Sequence, residues 1–322
     1  MKRCLACYES LTSNSTQEYH EKCSKRVFGT AKAPVLQFTF DQISELAKQN
    51  ITHRLAIPGV QPKLSLAIEK ADVEGIQRLT IVGLWDGIYI LKPANPKYPE
   101  LPENEDATMH IAASCGIRTA IHSLIRFKSG ELAYISRRFD RRIDRRKKTV
   151  DKLHQEDMCQ ITGLLTENKY NSSMEKIAKA TQQFTTNRGL ESLGLFQLTL
   201  FSFITGNSDM HLKNFSLIEQ TDGTVELTPA YDLLSTKLAV PEDKEEMALP
   251  IAGKKSRFTK ADFREFADYC QISPKAAENV FTSLERRIPT MIEWIEKSFL
   301  SEEMKRRYTN LIYERAARLR LP

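Results

Sequence analysis

The rhythm of apolar and polar positions changes along the chain. From Gln37 to about Val150 the apolar residues gather in short β-like runs, Lys63 to Glu69, Leu79 to Leu84 and Ile88 to Leu91, broken by Gly75, Gly83 and Gly87. A small twisted antiparallel sheet is expected there. Within it, Ala107, His110, Ile111 and Ser114 recur at helical spacing, and Gly116 stands where a helix would stop, so one helix over Asn104 to Gly116 is expected among the strands. After Val150 the period becomes mostly helical, with helices predicted at Ser173 to Asn187, Ser192 to Thr205, Lys260 to Tyr269, Pro274 to Lys297 and Ser301 to Leu319. Ser273 ahead of Pro274 reads as an N-cap followed by proline at the first helical position, and Thr259 with Asp262 reads as a capping box.

Three segments follow from this pattern: 1–33, ending in the breaker-rich run Gly29 to Pro34; 34–150, rich in strands; and 151–322, mostly helical. A sheet-rich part followed by a helical part predicts an α+β protein of two lobes with a cleft between them. The first segment is too short to be stable without a staple.

Composition agrees with a soluble globular chain: 322 residues, 41% hydrophobic and 27% charged, with 13 Gly and 13 Pro. No window is apolar enough for a membrane span and no apolar run follows the basic residues of the N-terminus, so a cytoplasmic address is expected. A formal net charge of +6 is modest and does not by itself argue for nucleic acid. Its distribution is uneven: Arg137, Arg138, Arg141, Arg142, Arg145, Arg146, Lys147 and Lys148 lie close together, offset by Asp140 and Asp144. This run is either a solvated face or a patch for an anionic partner.

The cysteines are not arranged as a disulfide framework. Cys115, Cys159 and Cys270 are scattered, and small buried core residues are expected there. Cys4-Leu5-Ala6-Cys7 followed by His20-Glu21-Lys22-Cys23 is different. Two short ligand pairs converging on one ion would give the tetrahedral thiolate and imidazole set that Zn²⁺ prefers. A closed four-ligand set leaves no position for a reacting water, so Cys4, Cys7, His20 and Cys23 are expected to hold a structural zinc that staples the first segment.

Candidate chemistry concentrates in Thr205-Gly206-Asn207-Ser208-Asp209-Met210-His211-Leu212-Lys213-Asn214, after an apolar helix and before Phe215 to Ile218. An Asp and an Asn spaced as Asp209 and Asn214 are is the arrangement by which kinase-like enzymes meet an attacking hydroxyl and hold Mg²⁺. Asp232, in Tyr231-Asp232-Leu233, supplies a second carboxylate for the metal. Transfer of a terminal phosphate from ATP needs hard cations held by a few carboxylate and amide oxygens, which suits Asn214 and Asp232 to Mg²⁺ and leaves Asp209 for the acceptor hydroxyl. His211 and Lys213 either contact phosphate or brace the loop. Lys92 ends an apolar strand, and Glu105, with Glu103 in reserve, opens the next helix; a lysine held by a helix glutamate is how kinases aim an ammonium at the phosphates. The run Pro58-Gly59-Val60-Gln61-Pro62-Lys63 can approach phosphates through its backbone at Gly59.

Taken in order, Gly59 to Lys63, Leu91-Lys92-Pro93, Asn104-Glu105, Arg138-Phe139-Asp140-Arg141, Leu153-His154-Gln155-Glu156-Asp157, Asn207 to Phe215 and Tyr231 to Ser235 resemble the HipA family over about Ile51 to Arg318. The resemblance implies a two-lobed protein-kinase-like fold, with a small antiparallel-sheet N-lobe and a mostly helical C-lobe, here preceded by the small zinc-binding module. It implies a serine/threonine kinase that uses ATP and Mg²⁺ and acts as the toxin of a toxin–antitoxin module. The substrate would be an aminoacyl-tRNA synthetase, met with its tRNA, or another translation component. The restraining partner would be a DNA-binding, HipB-like antitoxin. Residue by residue, the resemblance makes Lys92 the phosphate lysine, Asp209 the catalytic aspartate and Asn214 and Asp232 the Mg²⁺ ligands. Gly59, Val60 and Lys63 belong to its phosphate loop, and Phe139 with the backbone from Arg137 matches the hinge that holds adenine. Glu156 and Asp157 would fix the catalytic loop.

Two departures qualify the match. Longer members carry an extra N-terminal subdomain, whereas this chain has only the Cys/His module and resembles the compact HipT-like members with a zinc knuckle added, which points to a separate small HipS-like protein as the missing partner surface. The family's autophosphorylated loop serine is replaced by Ala56, with Pro58 nearer the glycine. Two other functions compete: a kinase-like binding or co-repressor partner of a DNA-binding protein, and a small-molecule phosphotransferase. The complete set Lys92, Asp209, Asn214 and Asp232 argues against the first.

Overall fold

In a computed structural model of the chain, residues 2–12, 15–43, 45, 63–70, 77–83, 86–144 and 149–320 are described. The backbone separates into two compact units: Met1–Ala107 with Ala120–Arg138 and Lys297–Leu300, and Thr108–Thr119 with Phe139–Glu296 and Ser301–Pro322.

The first unit is built on a six-stranded sheet of β1 (Val35–Leu36), β2 (Leu64–Lys70), β3 (Gln77–Ile81), β4 (Tyr89–Pro93), β5 (His122–Arg126) and β6 (Leu132–Arg137), in the order β1-β3-β2-β4-β6-β5. Its ladders are antiparallel except at the β1 edge, which runs parallel to β3 and so departs from the purely antiparallel sheet expected. Leu64 faces Leu91 across one ladder and Leu91 faces Ile135 across the next, and all three are fully buried. That row fixes the register, since a slip of one residue would turn it to the opposite face. Gly87 is required beside β2: a Cβ there would stand 1.8 Å from Ser65 Oγ. Helix α1 (Glu21–Phe28) lies in this unit, and α2 (Leu101–Ser114) starts in it and runs on into the second. α2 begins one turn earlier than the apolar pattern suggests. A proline in a first turn removes no helical hydrogen bond, so Pro102 is tolerated, and buried Leu101 anchors that turn.

The second unit is helical but contains strands that the sequence pattern does not mark. β7 (Arg141–Asp144) pairs antiparallel with β8 (Thr149–Lys152), and β10 (Ser216–Glu219) is the centre of a three-stranded antiparallel sheet between β9 (Gln155–Asp157) and β11 (Val225–Leu227). The helices are α3 (Met158–Ile161), α4 (Met174–Phe184), α5 (Arg188–Ile204), α6 (Thr236–Ala239), α7 (Lys260–Tyr269), α8 (Pro274–Lys297) and α9 (Glu302–Arg318). From Leu198 to Ile204 every residue of α5 is buried, so its C-terminal half is a core helix rather than an amphipathic one. Phe196 packs on Phe266 and Phe281, and Phe203 on Phe258 and Phe263, with centroids 5.2 to 6.3 Å apart. The Asp262 carboxylate accepts from the Thr259 backbone N–H and hydroxyl at 2.8 Å, and Ser273 Oγ accepts from the Ala276 N–H, so α7 and α8 begin at their expected caps.

Cys115, Cys159 and Cys270 are buried, as expected of core residues. The basic run needs correction. Arg141 is buried, with its guanidinium 3.5 Å from the Asp140 carboxylate, and does not belong to an exposed patch. Arg142 is exposed, while Arg145, Arg146, Lys147 and Lys148 lie outside the described residues. Among the described residues no helix is long and apolar enough to cross a membrane.

Candidate functional site

In the second unit, the loop from Gly206 to Asn214 is fixed at several points. Gly206 has φ +68°, and a Cβ there would stand 2.6 Å from Leu311 Cδ2, so only glycine fits the turn out of α5. The Gly206 carbonyl accepts from the Lys237 N–H and the Thr236 hydroxyl, and the Ser208 N–H donates to that same hydroxyl at 2.7 Å. Asn207 is buried, and its Oδ1 accepts from the Asp209 N–H. The loop closes in a single 3-10 turn, Leu212–Asn214, and leads into β10.

Strand β9 holds the far end of the loop. Asp157 pairs with Ser216 in the ladder, Met158 N–H donates to Phe215 O, and Lys213 Nζ lies 2.5 Å from Asp157 Oδ2. Lys213 is therefore engaged as a brace. Asp157 also caps α3, its other oxygen accepting from the Gln160 N–H. The Tyr231 hydroxyl donates to Lys213 O at 2.7 Å and lies 2.6 Å from Ser216 Oγ, which ties the segment carrying Asp232 to the same loop. Asp232 has φ +59°, a left-handed conformation that costs a non-glycine residue roughly 1 kcal/mol or more. Such strain persists only where the surroundings impose it, and here Tyr231 is the anchor.

The Asp209 carboxylate accepts from the Tyr170 hydroxyl through Oδ1 at 2.7 Å. Tyr170 is 40% exposed, and its ring meets His211 edge-on at 5.1 Å. Burial pushes the His211 imidazole below its ordinary range, against the charges of Asp209 and Asp232, so the ring is mainly neutral near pH 7. Its buried Nδ1 has no hydrogen-bond partner among the described residues. Asn214 is buried and its amide nitrogen donates to Met210 Sδ at 3.9 Å; the oxygen is the end suited to a hard cation. Asn214 and Asp232 thus offer an amide and a carboxylate oxygen, a donor set that fits Mg²⁺ and not a softer ion. Tyr170 is a residue that motif spacing does not single out. The only signal for it is an aromatic side chain inside the polar run Thr166 to Ser173.

In the first unit, Lys92 and Glu105 form a buried ion pair, Nζ to Oε1 2.5 Å. Glu105 and not Glu103 takes the lysine. Glu103 is partly buried, and desolvation, with the charges of Glu100 and Asp106 adding to it, pushes its carboxyl up to about 7. Between the unfolded carboxyl's ordinary value and 7 the folded state binds the extra proton, so stability falls as pH rises through that window. Glu103→Gln is expected to flatten this slope and to raise stability at pH 8 by about 1 to 3 kcal/mol, a range discounted for partial exposure. Urea unfolding of both proteins at pH 5 and 8 checks it; parallel slopes would contradict it.

The Cys4, Cys7, His20 and Cys23 donor atoms all lie within 4.8 Å of one another. Burial pushes the Cys23 thiol up to about 12, with the neighbouring Cys4 adding to the rise. The chain passes from one unit to the other between Arg138 and Phe139. Of the expected adenine hinge, the Arg137 N–H is already used by Ile121 O at 2.7 Å and the Arg138 N–H by Ile88 O at 2.8 Å, while Phe139 packs against Tyr231 at 5.5 Å. Lys63 is half-buried just ahead of β2; Gly59 and Val60, with Ala56 and Pro58, lie outside the described residues.

This α+β architecture is the kinase-like fold of HipA. A chain of the Shewanella oneidensis complex of HipA, HipB and its operator DNA superposes with a TM-score of 0.69 at 24% identity, covering 86% of this chain and 70% of that one. The HipA-like C-terminal domain matches residues 55–292, and the chain belongs to that family. A Haemophilus influenzae protein named as a candidate kinase is 28% identical over 90% of this chain and 85% of its own length. The serine/threonine-protein kinase toxin HipA of Shewanella oneidensis is 29% identical over 74% of this chain, which spans only 57% of that protein.

Proposed function

We propose that this chain is an Mg-ATP-dependent serine/threonine protein kinase acting as a HipA-type toxin. The observation that carries the reading is the braced loop of the second unit. Asp157, Lys213 and Tyr231 fix a segment that presents Asp209 and Asn214 and is tied to a strained Asp232. In this reading Asn214 and Asp232 hold the metal, which when bound neutralises charge on the phosphates of ATP. Asp209 orients the acceptor hydroxyl and takes its proton as the new O–P bond forms and ADP departs. Tyr170 occupies Oδ1, leaving Oδ2 for that hydroxyl. Lys92, pointed by Glu105, addresses the α- and β-phosphates. His211, neutral and packed on Tyr170, supports the loop.

The Shewanella relative is found with HipB and operator DNA, which supports a DNA-binding antitoxin as partner here. The acceptor in this reading is an aminoacyl-tRNA synthetase or another component of translation, and a small HipS-like protein is a further partner. Transfer of labelled phosphate from ATP into cell lysate tests the proposal. Labelled protein bands that disappear with Asp209→Asn are expected. Labelled small molecules alone would make the chain a small-molecule phosphotransferase, and no label would leave a binding protein.

A further inference from the structure

We propose that Cys4, Cys7, His20 and Cys23 bind one structural Zn²⁺, and that the resulting knuckle clasps α2 through Tyr8 and Asp106, holding the turn that carries Glu105.

The donor geometry comes first. Tetrahedral Zn²⁺ with Zn–S near 2.3 Å and Zn–N near 2.0 Å places sulfur and nitrogen ligands about 3.5 Å apart. Cys7 Sγ is 3.4 Å and Cys23 Sγ 4.0 Å from His20 Nδ1, on either side of that value. The other ring nitrogen carries the second argument. His20 Nε2 stands 3.2 Å from Ser10 O, and a donor there leaves Nδ1 unprotonated and facing the three sulfurs. A backbone carbonyl holding the remote nitrogen of a ligating histidine is the usual outer support of a metal site. The third argument is the backbone around the sulfurs. The His20 N–H donates to Cys4 Sγ at 3.4 Å, and the Cys4 and Tyr8 N–H groups close the Cys4–Cys7 turn by donating to Glu9 O and Cys4 O at 2.9 Å. Tyr8 takes φ +63° at the end of that turn. His20 then forms the N-cap of α1, bringing Cys23 into its first turn.

The strained turn delivers Tyr8 to a defined place. Its ring is buried edge-on against Phe299 at 5.3 Å, and its hydroxyl donates to Asp106 Oδ2 at 2.6 Å. Asp106 Oδ1 is held in turn by His122 Nδ1 at 2.6 Å, on β5. The same knuckle bonds β5 directly, with the Leu124 N–H donating to Leu5 O and the Tyr19 hydroxyl to Leu124 O. The residue before Asp106 is Glu105, the partner of Lys92. The metal therefore fixes one end of a chain of contacts whose other end is the lysine pair. Only the role of Lys92 rests on the kinase reading; zinc and clasp do not.

The test uses the full chain purified without chelator. About one zinc per chain by elemental analysis is expected, and Co²⁺ exchanged into the site should show the intense visible bands of tetrahedral thiolate ligation. Below half an equivalent, or cobalt bands of octahedral type, would overturn the site. Because loss of a cysteine can unfold the module, the clasp is tested with Tyr8→Phe, which keeps every ligand. Zinc should stay near one equivalent, while amide exchange across Leu101–Ala107 should quicken at least tenfold, with a similar rise when zinc is stripped from the parent protein. Exchange unchanged in both would overturn the clasp. These readouts need no turnover, so a protein that binds zinc and protects α2 but transfers no phosphate would sink the kinase reading alone.

Discussion

Asp209→Asn should leave Mg-ATP affinity within a few-fold of the parent and lower turnover by on the order of 10² or more, because orienting the acceptor and taking its proton act in the transition state. Asp232→Asn should fail at an earlier point. Removing that carboxylate takes a negative charge from a site that must hold Mg²⁺ against triphosphate, so nucleotide binding should weaken along with transfer. The geometry sharpens the contrast. Asp209 is joined through Oδ1 to the hydroxyl of Tyr170, and an asparagine there can still accept that bond, so the loop should keep its shape. Asp232 sits at φ +59°, a conformation that asparagine also tolerates, so its replacement should remove charge without relaxing the backbone. Calorimetric titration with Mg-ATP alongside phosphate transfer separates the two variants. If Asp209→Asn lost nucleotide binding while Asp232→Asn kept full transfer, the two carboxylates would have been assigned the wrong way round.

Much of this arrangement can be read in the sequence where a local rule sets the geometry. Helices α7 and α8 begin where Thr259, Asp262, Ser273 and Pro274 satisfy their first N–H groups, since cap chemistry acts within a few residues. The three-stranded sheet of the second unit is invisible by comparison. β9 and β11 hold three residues each, too few for an alternation to register, and they form because β10 lies between them. The spacing of Asp209 and Asn214 shows in the sequence, but what braces them does not. Lys213 finds Asp157 across 56 positions and Tyr170 finds Asp209 across 39, distances over which only the fold decides contact. Arg141 illustrates the opposite failure. In a run of basic residues its charge reads as exposed, whereas the ladder of β7 with β8 and the neighbouring Asp140 let it be buried.

The second large effect is expected at Lys92 and Glu105, where stability and turnover should come apart. Both side chains are almost fully buried, 5% and 2% exposed, and their charged ends are 2.5 Å apart. Deleting one partner of such a pair removes its compensation of the other charge in a poorly solvated place, at a cost of up to about 3 to 5 kcal/mol. Lys92→Met keeps the length of the side chain and removes its charge, so nearly all of its destabilisation should come from the glutamate left behind; Glu105→Gln should act in the same direction. The double variant, with neither charge, should be much more stable than the sum of the single losses predicts, and replacing a buried pair by uncharged groups can be close to neutral. Phosphate transfer should not recover with it. The ammonium that addresses the phosphates is gone in both Lys92 variants, and turnover should stay down by on the order of 10² or more. Thermal unfolding of the four proteins, with transfer measured on each, checks both halves. Additive losses of stability would mean that the pair is not electrostatically coupled, and full transfer by Lys92→Met would remove this lysine from the reaction.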